Sequence, residues 1–223
     1  MTTLNKNIPI VPKLGEGIYL TNDIAEILKL PYHKVKYIMN AFWHGYTFGE
    51  KRSRAVNFFA LIEFHTYYYL REKGYAPAYL KNFHHQLSKD LNTCYPFASI
   101  RVHTPKEKTD KSQIWYEYMG YLMKGDGRQQ PSIRSFVEPF LKQIEFGDDL
   151  LAKRFYPLHK SKNVVVDPQH QFGQPVINGT NLQTKTIYTL FEAGETKSNI
   201  CILYDISVKQ VNDAISYHKR NAA

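Results

Sequence analysis

Turn-forming residues divide the stretch from 164 to 219 into a small β element and three short helices, and no other feature of the sequence restricts the fold as much. The β-branched run Val164–Val166 favours a strand, which Pro168 ends because proline donates no ladder hydrogen bond. Asn178-Gly179 predicts a tight hairpin turn, since both residues tolerate positive φ. Gly194 can take the left-handed position that stops a helix. The predicted helices are Ile187–Ala193, Lys197–Tyr204 and Val208–Lys219.

The last two of these helices are joined by a short turn that carries its own start signal. Ser207 and Gln210 are spaced as a capping box, in which the serine oxygen accepts from the first helical turn and the glutamine reaches back. Val208, Val211 and Ile215 recur at helical spacing and predict an apolar stripe that faces inward. This layout is typical of a helix-turn-helix. The outward residues would be Lys209, Gln210, Asp213 and Tyr217, and the candidate contacts to DNA or a protein partner are Lys209, Gln210 and Tyr217.

The residues that surround these turns resemble a known family. The run Gly173-Gln174-Pro175-Val176-Ile177-x-Gly179-Thr180, the run Ala193-Gly194-Glu195-Thr196, and the pattern from Tyr204 to Tyr217 are similar to the domain of unknown function 433. We take Gly173, Pro175, Gly179, Thr180 and Gly194 as the family motif. The resemblance implies a VapB-type antitoxin whose partner is a PIN-domain ribonuclease toxin. One departure is Asn181, where the family often has arginine, so any contact made by that arginine does not carry over.

The resemblance extends upstream, through Leu151–Leu158 and Val164–Pro168, to longer members that carry a second helix-turn-helix at the N-terminus. The interval Leu20–Phe42 is similar to the first two helices of a MerR-like winged helix-turn-helix, with Tyr46–Arg54 as the wing. Val35, Ile38, Met39 and Phe42 would face the core, and no carboxylate occurs from Tyr32 to Trp43. The candidate DNA-binding residues are His33, Lys34, Lys36, Tyr37, Asn40, Lys51, Arg52 and Arg54. The alternative that Lys36, Lys51 and Arg52 are merely solvated stays open.

Between the two ends of the chain, some segments have the apolar pattern of helices and others the alternating pattern of strands. Asn57–Lys73 is apolar or aromatic nearly all round, which predicts a buried or interfacial helix, and Pro77 begins another. Alternating residues from Phe97 to Tyr118 predict a β-hairpin, and Met119–Lys124 a further strand. We expect His84 at the surface or edge of its helix, a helix over Ile133–Ile144, and a boundary at Phe146–Asp149. The expected domains are 1–150, MerR-like with a β-hairpin, and 151–223, a homeodomain-like helix-turn-helix; the fold class is mainly α with small β elements.

Charge supports a polyanionic partner. The net charge is +9, and the ends carry the excess: eight basic residues against four acidic in 1–60, and nine against five in 151–223. The positive electrostatic field of such charges favours binding to nucleic acid. No apolar run reaches about 18 residues and no signal peptide is apparent, so we expect a cytoplasmic protein with no membrane partner. Cys94 and Cys201 lack metal-ligand spacing, and His33 and His44 lack a third ligand, so we expect neither a metal nor another cofactor.

No phosphate loop, nucleophile elbow or metal-spaced cluster is present, so we expect no enzyme. The hypothesis is a DNA-binding antitoxin that represses its own operon as a homodimer, binds double-stranded DNA and neutralises a PIN-domain ribonuclease toxin. The alternative is a non-catalytic docking or dimerisation adaptor built on helix-turn-helix domains. Because Asp213 lies on the outward face of the last helix, we expect the N-terminal helix to be the main DNA reader. We expect Phe172–Tyr217 to face the partner, with Ile187, Leu190, Ile200, Leu203, Val211 and Ile215 as its core.

Overall fold

The computed structural model describes residues 13, 15–41, 43–50, 53–99, 101–105, 115–118, 121–124, 137–139, 143–158, 161 and 163–220. They fall in two compact units, one formed by the chain up to Phe58 together with residues from Arg154 onward, and one formed by Phe59–Lys153. These units are not the predicted domains, since the N-terminal and C-terminal segments share a unit. As a functional division, the boundary at 150 stays a prediction.

The N-terminal part of the first unit is a pair of helices beside a short sheet. Strand β1 (Tyr19–Leu20) pairs antiparallel with β2 (Ala55–Val56). Helix α1 (Thr21–Leu28) and helix α2 (Tyr32–Ala41) follow β1, and a 3-10 turn covers His44–Tyr46. Ile24 and Ile27 of α1 are buried, and so are Val35, Ile38 and Met39 of α2, as their spacing predicts; Phe42 lies outside the described residues.

The C-terminal part of the same unit contains a hairpin and three helices. Strands β9 (Val164–Val165) and β10 (Val176–Ile177) pair antiparallel. Helices α6 (Lys197–Tyr204) and α7 (Val208–Lys219) have the predicted bounds, whereas α5 (Thr184–Glu192) begins three residues earlier than predicted. Thr184 is buried and its Oγ1 donates to Pro175 O, which fixes this earlier start. The core here is Ile177, Ile187, Ile200, Ile206, Val211, Ala214 and Ile215.

The second unit combines two helices with a four-stranded sheet. Helix α3 (Phe58–Glu72) enters it from the first unit, and α4 (Pro77–Asp90) follows. The strands β3 (Arg101–Pro105), β4 (Trp115–Tyr118), β5 (Tyr121–Lys124) and β6 (Val137–Pro139) are arranged in the order β5-β4-β3-β6. The predicted hairpin and further strand are therefore confirmed. Strands β7 (Ile144–Phe146) and β8 (Ala152–Phe155) form a hairpin, and the chain passes into the first unit within β8.

Two predictions for this unit are wrong. In place of the helix over Ile133–Ile144, the described residues of that range form β6 and the start of β7, because Val137–Pro139 pairs antiparallel with His103–Pro105. His84 is buried rather than at the surface. Its Nε2 lies 2.7 Å from Oε2 of the fully buried Glu63, whose Oε1 accepts from the backbone N–H of Phe97 at 2.7 Å. A buried carboxylate needs such partners, and burying the histidine supplies one.

Taken together, the described residues contain seven α-helices and several small antiparallel sheets. The predicted class, mainly α with small β elements, is confirmed in that form. No helix among the residues that the structure describes is long and apolar enough to cross a membrane.

Candidate nucleic-acid interface

The outer face of α2 is exposed and basic. The predicted DNA-binding residues His33, Lys34, Lys36, Tyr37 and Asn40 are all exposed, and Tyr37 is the extreme case with 71% of its surface accessible. Their exposure follows from the burial of Val35, Ile38 and Met39 on the opposite side. The structure thus gathers two lysines, a histidine, a tyrosine and an amide on one helical surface that lacks a carboxylate.

Arg54 lies against this surface. Its Nη1 donates to Oδ1 of Asn40, and Nδ2 of Asn40 donates to the Lys36 carbonyl at 2.9 Å. The strand pairing of Ala55 with Phe48 and Leu20 brings this segment back towards the helices. The other two predicted wing cations, Lys51 and Arg52, lie outside the described residues. Asn40 therefore has its amide oxygen occupied within the protein, a contact that the sequence did not indicate.

The structure corrects three positions on the C-terminal helices. Tyr217 is completely buried, so the expected outward position is wrong. Its ring lies 5.6 Å from Lys29 Nζ and 4.4 Å from Arg220 Cζ, and burial raises the pKa of its hydroxyl. Val208 is 53% exposed and Ala214 takes its place in the inward stripe. Leu203, expected in the core, is 66% exposed.

Gln210 is exposed only in part, because it serves the helix start. The Ser207 N–H donates to its Oε1 at 2.8 Å, and its own backbone N–H donates to Ser207 Oγ at 3.3 Å. The capping box is therefore confirmed, and the glutamine oxygen is occupied. The remaining predicted contact, Lys209, is exposed.

Other polar residues share the α7 surface with Lys209. Ser216 and Lys219 are exposed and Asn212 is half-buried, at spacings that place all four on one side of the helix. Asn212 and Ser216 are not among the contacts predicted from the sequence. The spacing i, i+3, i+7, i+10 from Lys209 was the available signal.

The family motif residues shape the backbone. Gly173, Gly179 and Gly194 have φ of +85°, +82° and +96°, a region that favours glycine. Thr180 Oγ1 donates to the Ile177 carbonyl at 2.9 Å, and the carbonyl of Pro175 accepts from the Thr184 N–H at 3.0 Å. Each motif residue thus has a structural explanation in the hairpin or at a helix end.

Gly173 has a second role, since it allows Tyr19 to pack on the C-terminal part. A Cβ at position 173 would lie 2.0 Å from the Tyr19 Oη. Tyr19 is fully buried, and burial, with smaller contributions from Asp167 and Asp23, raises the pKa of its hydroxyl well above the usual value. The backbone N–H of Ile18 also donates to the Phe172 carbonyl at 3.1 Å. The segment that leads into α1 is therefore held against the motif.

A contact between side chains joins α1 to α7. His218 Nδ1 lies 3.2 Å from Glu26 Oε1, and its Nε2 lies 3.1 Å from Thr184 Oγ1. The ring of His218 also stacks on Tyr188 at 4.9 Å. The hydrogen bond from His218 lowers the pKa of Glu26, whereas burial raises the pKa of the neighbouring Asp23. Helix α1 thus links α2 to the C-terminal helices.

Helix α6 shows an apolar outer face. Ile202 is 81% exposed and Leu203 66%. They line a groove of about 340 Å³ together with Leu190, Glu195, Asn199 and Ile200. Large apolar side chains exposed side by side are typical of a surface that binds another protein. In the described part of the chain, no group of three or more His, Cys, Asp or Glu residues could hold a metal ion.

Comparison with known proteins finds similarity in the C-terminal part. Residues 164–218 match the family model described as Protein of unknown function (DUF433), so the resemblance is confirmed there. The chain is also 34% identical over 83 residues to "Putative antitoxin VapB45" of Mycobacterium tuberculosis (strain ATCC 25618 / H37Rv). That match covers 37% of this chain and 35% of the relative. The MerR-like assignment of the N-terminal part stays a prediction.

Two further similarities come from the same species. The chain is 25% identical over 146 residues to "Uncharacterized protein Rv2308", covering 60% of this chain and 58% of that protein. The crystal structure of Rv2018 has a TM-score of 0.64 and 17% identity, over 93% of this chain and 100% of that one. This likeness shows a shared fold. The chain matches about a third of the first sequence relative and less than two thirds of the second.

Proposed function

We propose that the protein is the DNA-binding antitoxin of a type II toxin–antitoxin pair and represses its own operon. The exposed face of α2 carries the proposal: His33, Lys34, Lys36, Tyr37 and Asn40 are accessible together, with Arg54 beside them. Cations on such a face displace the counterions of duplex DNA, while amide and imidazole groups can contact base edges. The similarity to a protein named as an antitoxin supports the biological setting.

In this proposal, α1 and α2 act as a helix-turn-helix and α2 enters the major groove. Lys34, Lys36 and Arg54 bind phosphates, and His33, Tyr37 and Asn40 supply the sequence preference. Asn40 would pair with adenine in a bidentate manner, which requires Arg54 to release the amide oxygen that it holds in the free protein. A released Arg54 can then bind a phosphate. A homodimer would place two α2 helices in successive major grooves.

The C-terminal helices are the proposed toxin-binding module. Ile202 and Leu203 give α6 an apolar outer face, and the adjoining groove can accept an apolar side chain of a partner. The family resemblance points to a PIN-domain ribonuclease as the toxin. Such a toxin gathers its metal with carboxylates, and the exposed Lys185 would complement that charge.

A gel shift with the DNA upstream of the protein's own gene tests DNA binding. Lys36→Ala with Asn40→Ala should abolish the specific complex. The matched control is Lys81→Ala with Lys89→Ala on α4, where both lysines are exposed, and it should bind normally. If the α2 variant binds as tightly as the control, the assignment of α2 is wrong.

Calorimetry with the product of the neighbouring gene tests the partner. The full chain should bind it, and Leu203→Asp should weaken binding at least about tenfold by placing a charge in an apolar contact. The exposed apolar face equally favours the alternative, a docking adaptor without DNA binding. The adaptor is the better explanation if the wild-type protein binds no duplex in the gel shift yet binds the neighbouring gene's product.

A further inference from the structure

We propose that α7 carries a second DNA-contact surface, formed by Lys209, Asn212, Ser216 and Lys219 together with Lys197 of α6. This inference rests on the proposed DNA-binding function and adds a site to it. The expectation that α2 is the main reader depended on Asp213 opposing anions on α7. The structure weakens that objection, because Asp213 is half-buried and its Oδ2 accepts from Asn163 Nδ2 at 2.6 Å and from Ser161 Oγ, so the carboxylate is directed towards that segment.

Two lysines converge on this surface around one aromatic ring. Lys219 Nζ lies 4.9 Å from the centroid of the Phe191 ring and Lys197 Nζ 5.9 Å from it. Lys197 also donates to Asn212 Oδ1 at 2.7 Å. Cation–π contacts hold both ammonium groups in place without neutralising their charge. Two like charges near one ring repel each other, and a polyanion bound at this surface would offset that repulsion.

Glu195, just before α6, directs its carboxylate to a neighbouring amide: its Oε2 accepts from Asn199 Nδ2 at 3.2 Å. Among the residues that the structure describes, neither Lys197 nor Lys219 forms an ion pair. The α7 surface is therefore cationic along its length, with one amide and one hydroxyl between the lysines.

The dimensions of α7 fit a DNA groove. Lys209 and Lys219 are ten residues apart, about 15 Å along the helix, and the major groove is about 12 Å wide. Lysines at the two ends of the helix can thus reach phosphates on both sides of the groove. Asn212 and Ser216 lie between them, and their side chains suit contacts to base edges. Lys197 adds a phosphate contact from α6.

A duplex fits this surface better than an acidic protein does. The core of a protein interface is poor in charged residues and rich in apolar ones. The α7 surface has lysines and small polar residues, whereas the exposed apolar residues Ile202 and Leu203 lie on α6. The two helices thus offer different surfaces to different partners.

Fluorescence anisotropy of the full chain with a duplex of unrelated sequence tests the proposal across a series of salt concentrations. Lys197→Gln with Lys219→Gln should weaken binding about tenfold at low salt and reduce the slope of log affinity against log salt by about 1.8, or 0.9 per phosphate contact. The control is Lys81→Gln with Lys89→Gln, which makes the same change in net charge on α4. Equal affinity and slope in the two double variants would overturn the proposal. Loss of binding to the neighbouring gene's product, with DNA binding equal to the control's, would overturn it in favour of an acidic protein partner.

The same assay, repeated with the duplex from upstream of the protein's own gene, separates this inference from the α2 assignment. If Lys36→Ala with Asn40→Ala leaves binding unchanged while Lys197→Gln with Lys219→Gln weakens it, the α7 surface stands and α2 is not the reader. If the α2 variant alone loses binding, the α7 surface is wrong and the proposed function stands. A wild-type protein that binds no duplex at any salt concentration contradicts both.

Discussion

The two helix pairs of the first unit, α1–α2 and α6–α7, are joined by the same kind of turn but differ in what lies around them. Between α1 and α2, Lys29 is left-handed with φ of 53°, and the Leu30 N–H donates to the Ala25 carbonyl at 3.0 Å. Between α6 and α7, Asp205 has φ of 50°, and the Ile206 N–H donates to the Cys201 carbonyl at 3.2 Å. In both turns the next residue is apolar and buried. This is the Schellman arrangement, in which a left-handed residue and a hydrophobic contact end a helix.

The first helices of the two pairs, α1 and α6, differ in what lies against their outer sides. Helix α1 turns carboxylates towards the C-terminal helices, where Glu26 meets His218. Helix α6 turns Ile202 and Leu203 towards solvent. A shared turn therefore sets how two helices join, whereas the residues on their outer sides decide whether the pair packs inside the protein or is left for another molecule.

Gly173→Ala should lower the free energy of unfolding the most, because the added side chain separates the α1–α2 pair from the C-terminal helices. The new Cβ would overlap the Tyr19 hydroxyl at a backbone angle that also strains alanine. We expect a loss of several kcal/mol in the free energy of unfolding, measured by urea denaturation. Gly179→Ala is the matched control: its φ is +82° but nothing lies within 4 Å of the added Cβ, so it should cost only about 1 kcal/mol. Similar losses in the two variants would show that Tyr19 can move away.

The buried residues of the two turns test whether the turns are equivalent. Leu30→Ala and Ile206→Ala each remove a side chain that is 7% exposed, and each should cost about 2–4 kcal/mol of unfolding free energy. Ile202→Ala, at 81% exposure, should cost little. A large difference between Leu30→Ala and Ile206→Ala would break the comparison.

Local turn chemistry explains what the sequence could predict. Gly194 follows the end of α5, and Ser207 with Gln210 begins α7; each acts through neighbours in the chain, so those helix ends were predictable. The exposed face of α2 was predictable for the same reason, from spacing alone. Tyr217 was misplaced because Lys29, from a distant segment, covers its ring.

Non-local pairing explains the remaining errors. The strand at Val137–Pro139 exists because it pairs with β3, more than 30 residues earlier, and no local pattern encodes that partner. The contact between Arg54 and Asn40 likewise depends on the return of β2 to β1. Leu203 has apolar spacing like that of a core residue, and periodicity does not distinguish a core from a surface that binds another protein.

Glycine substitutions at the left-handed residues should reveal a smaller difference between the turns. Asp205→Gly relieves an unfavourable backbone angle and should change stability by about 0.5–1 kcal/mol in the favourable direction. Lys29→Gly relieves the same strain but removes the contact with the Tyr217 ring, so its gain should be smaller. Thermal unfolding of the two variants measures the difference between their stability gains. If Lys29→Gly gains as much as Asp205→Gly, the ring contact contributes nothing to stability.

The smallest effect concerns the two carboxylates of α1, whose pKa values move in opposite directions. The pKa of Glu26 is lowered, first by the hydrogen bond from His218 and then by charges that include Lys29 and Lys185. Its contribution is therefore present above the unfolded value of 4.5 and is lost as the pH falls through the lower folded pKa. Glu26→Gln should destabilise the protein at pH 7 and make no difference in strong acid.

Asp23 has the opposite effect on stability. Burial raises its pKa, although the hydrogen bond from the Leu20 N–H and the charge of Lys185 act to lower it. The folded state holds its proton more tightly, so the ionised group costs stability as the pH rises above 3.8. Asp23→Asn keeps an acceptor for Leu20 and should stabilise the protein at pH 7, with the difference vanishing below pH 3.8. Both side chains are about half exposed, so each change should stay below about 1 kcal/mol. Urea denaturation from pH 3 to pH 7 should give curves of opposite slope for the two variants relative to wild type. If Glu26→Gln leaves stability at pH 7 unchanged, α1 does not owe its position to the pairing of Glu26 with His218.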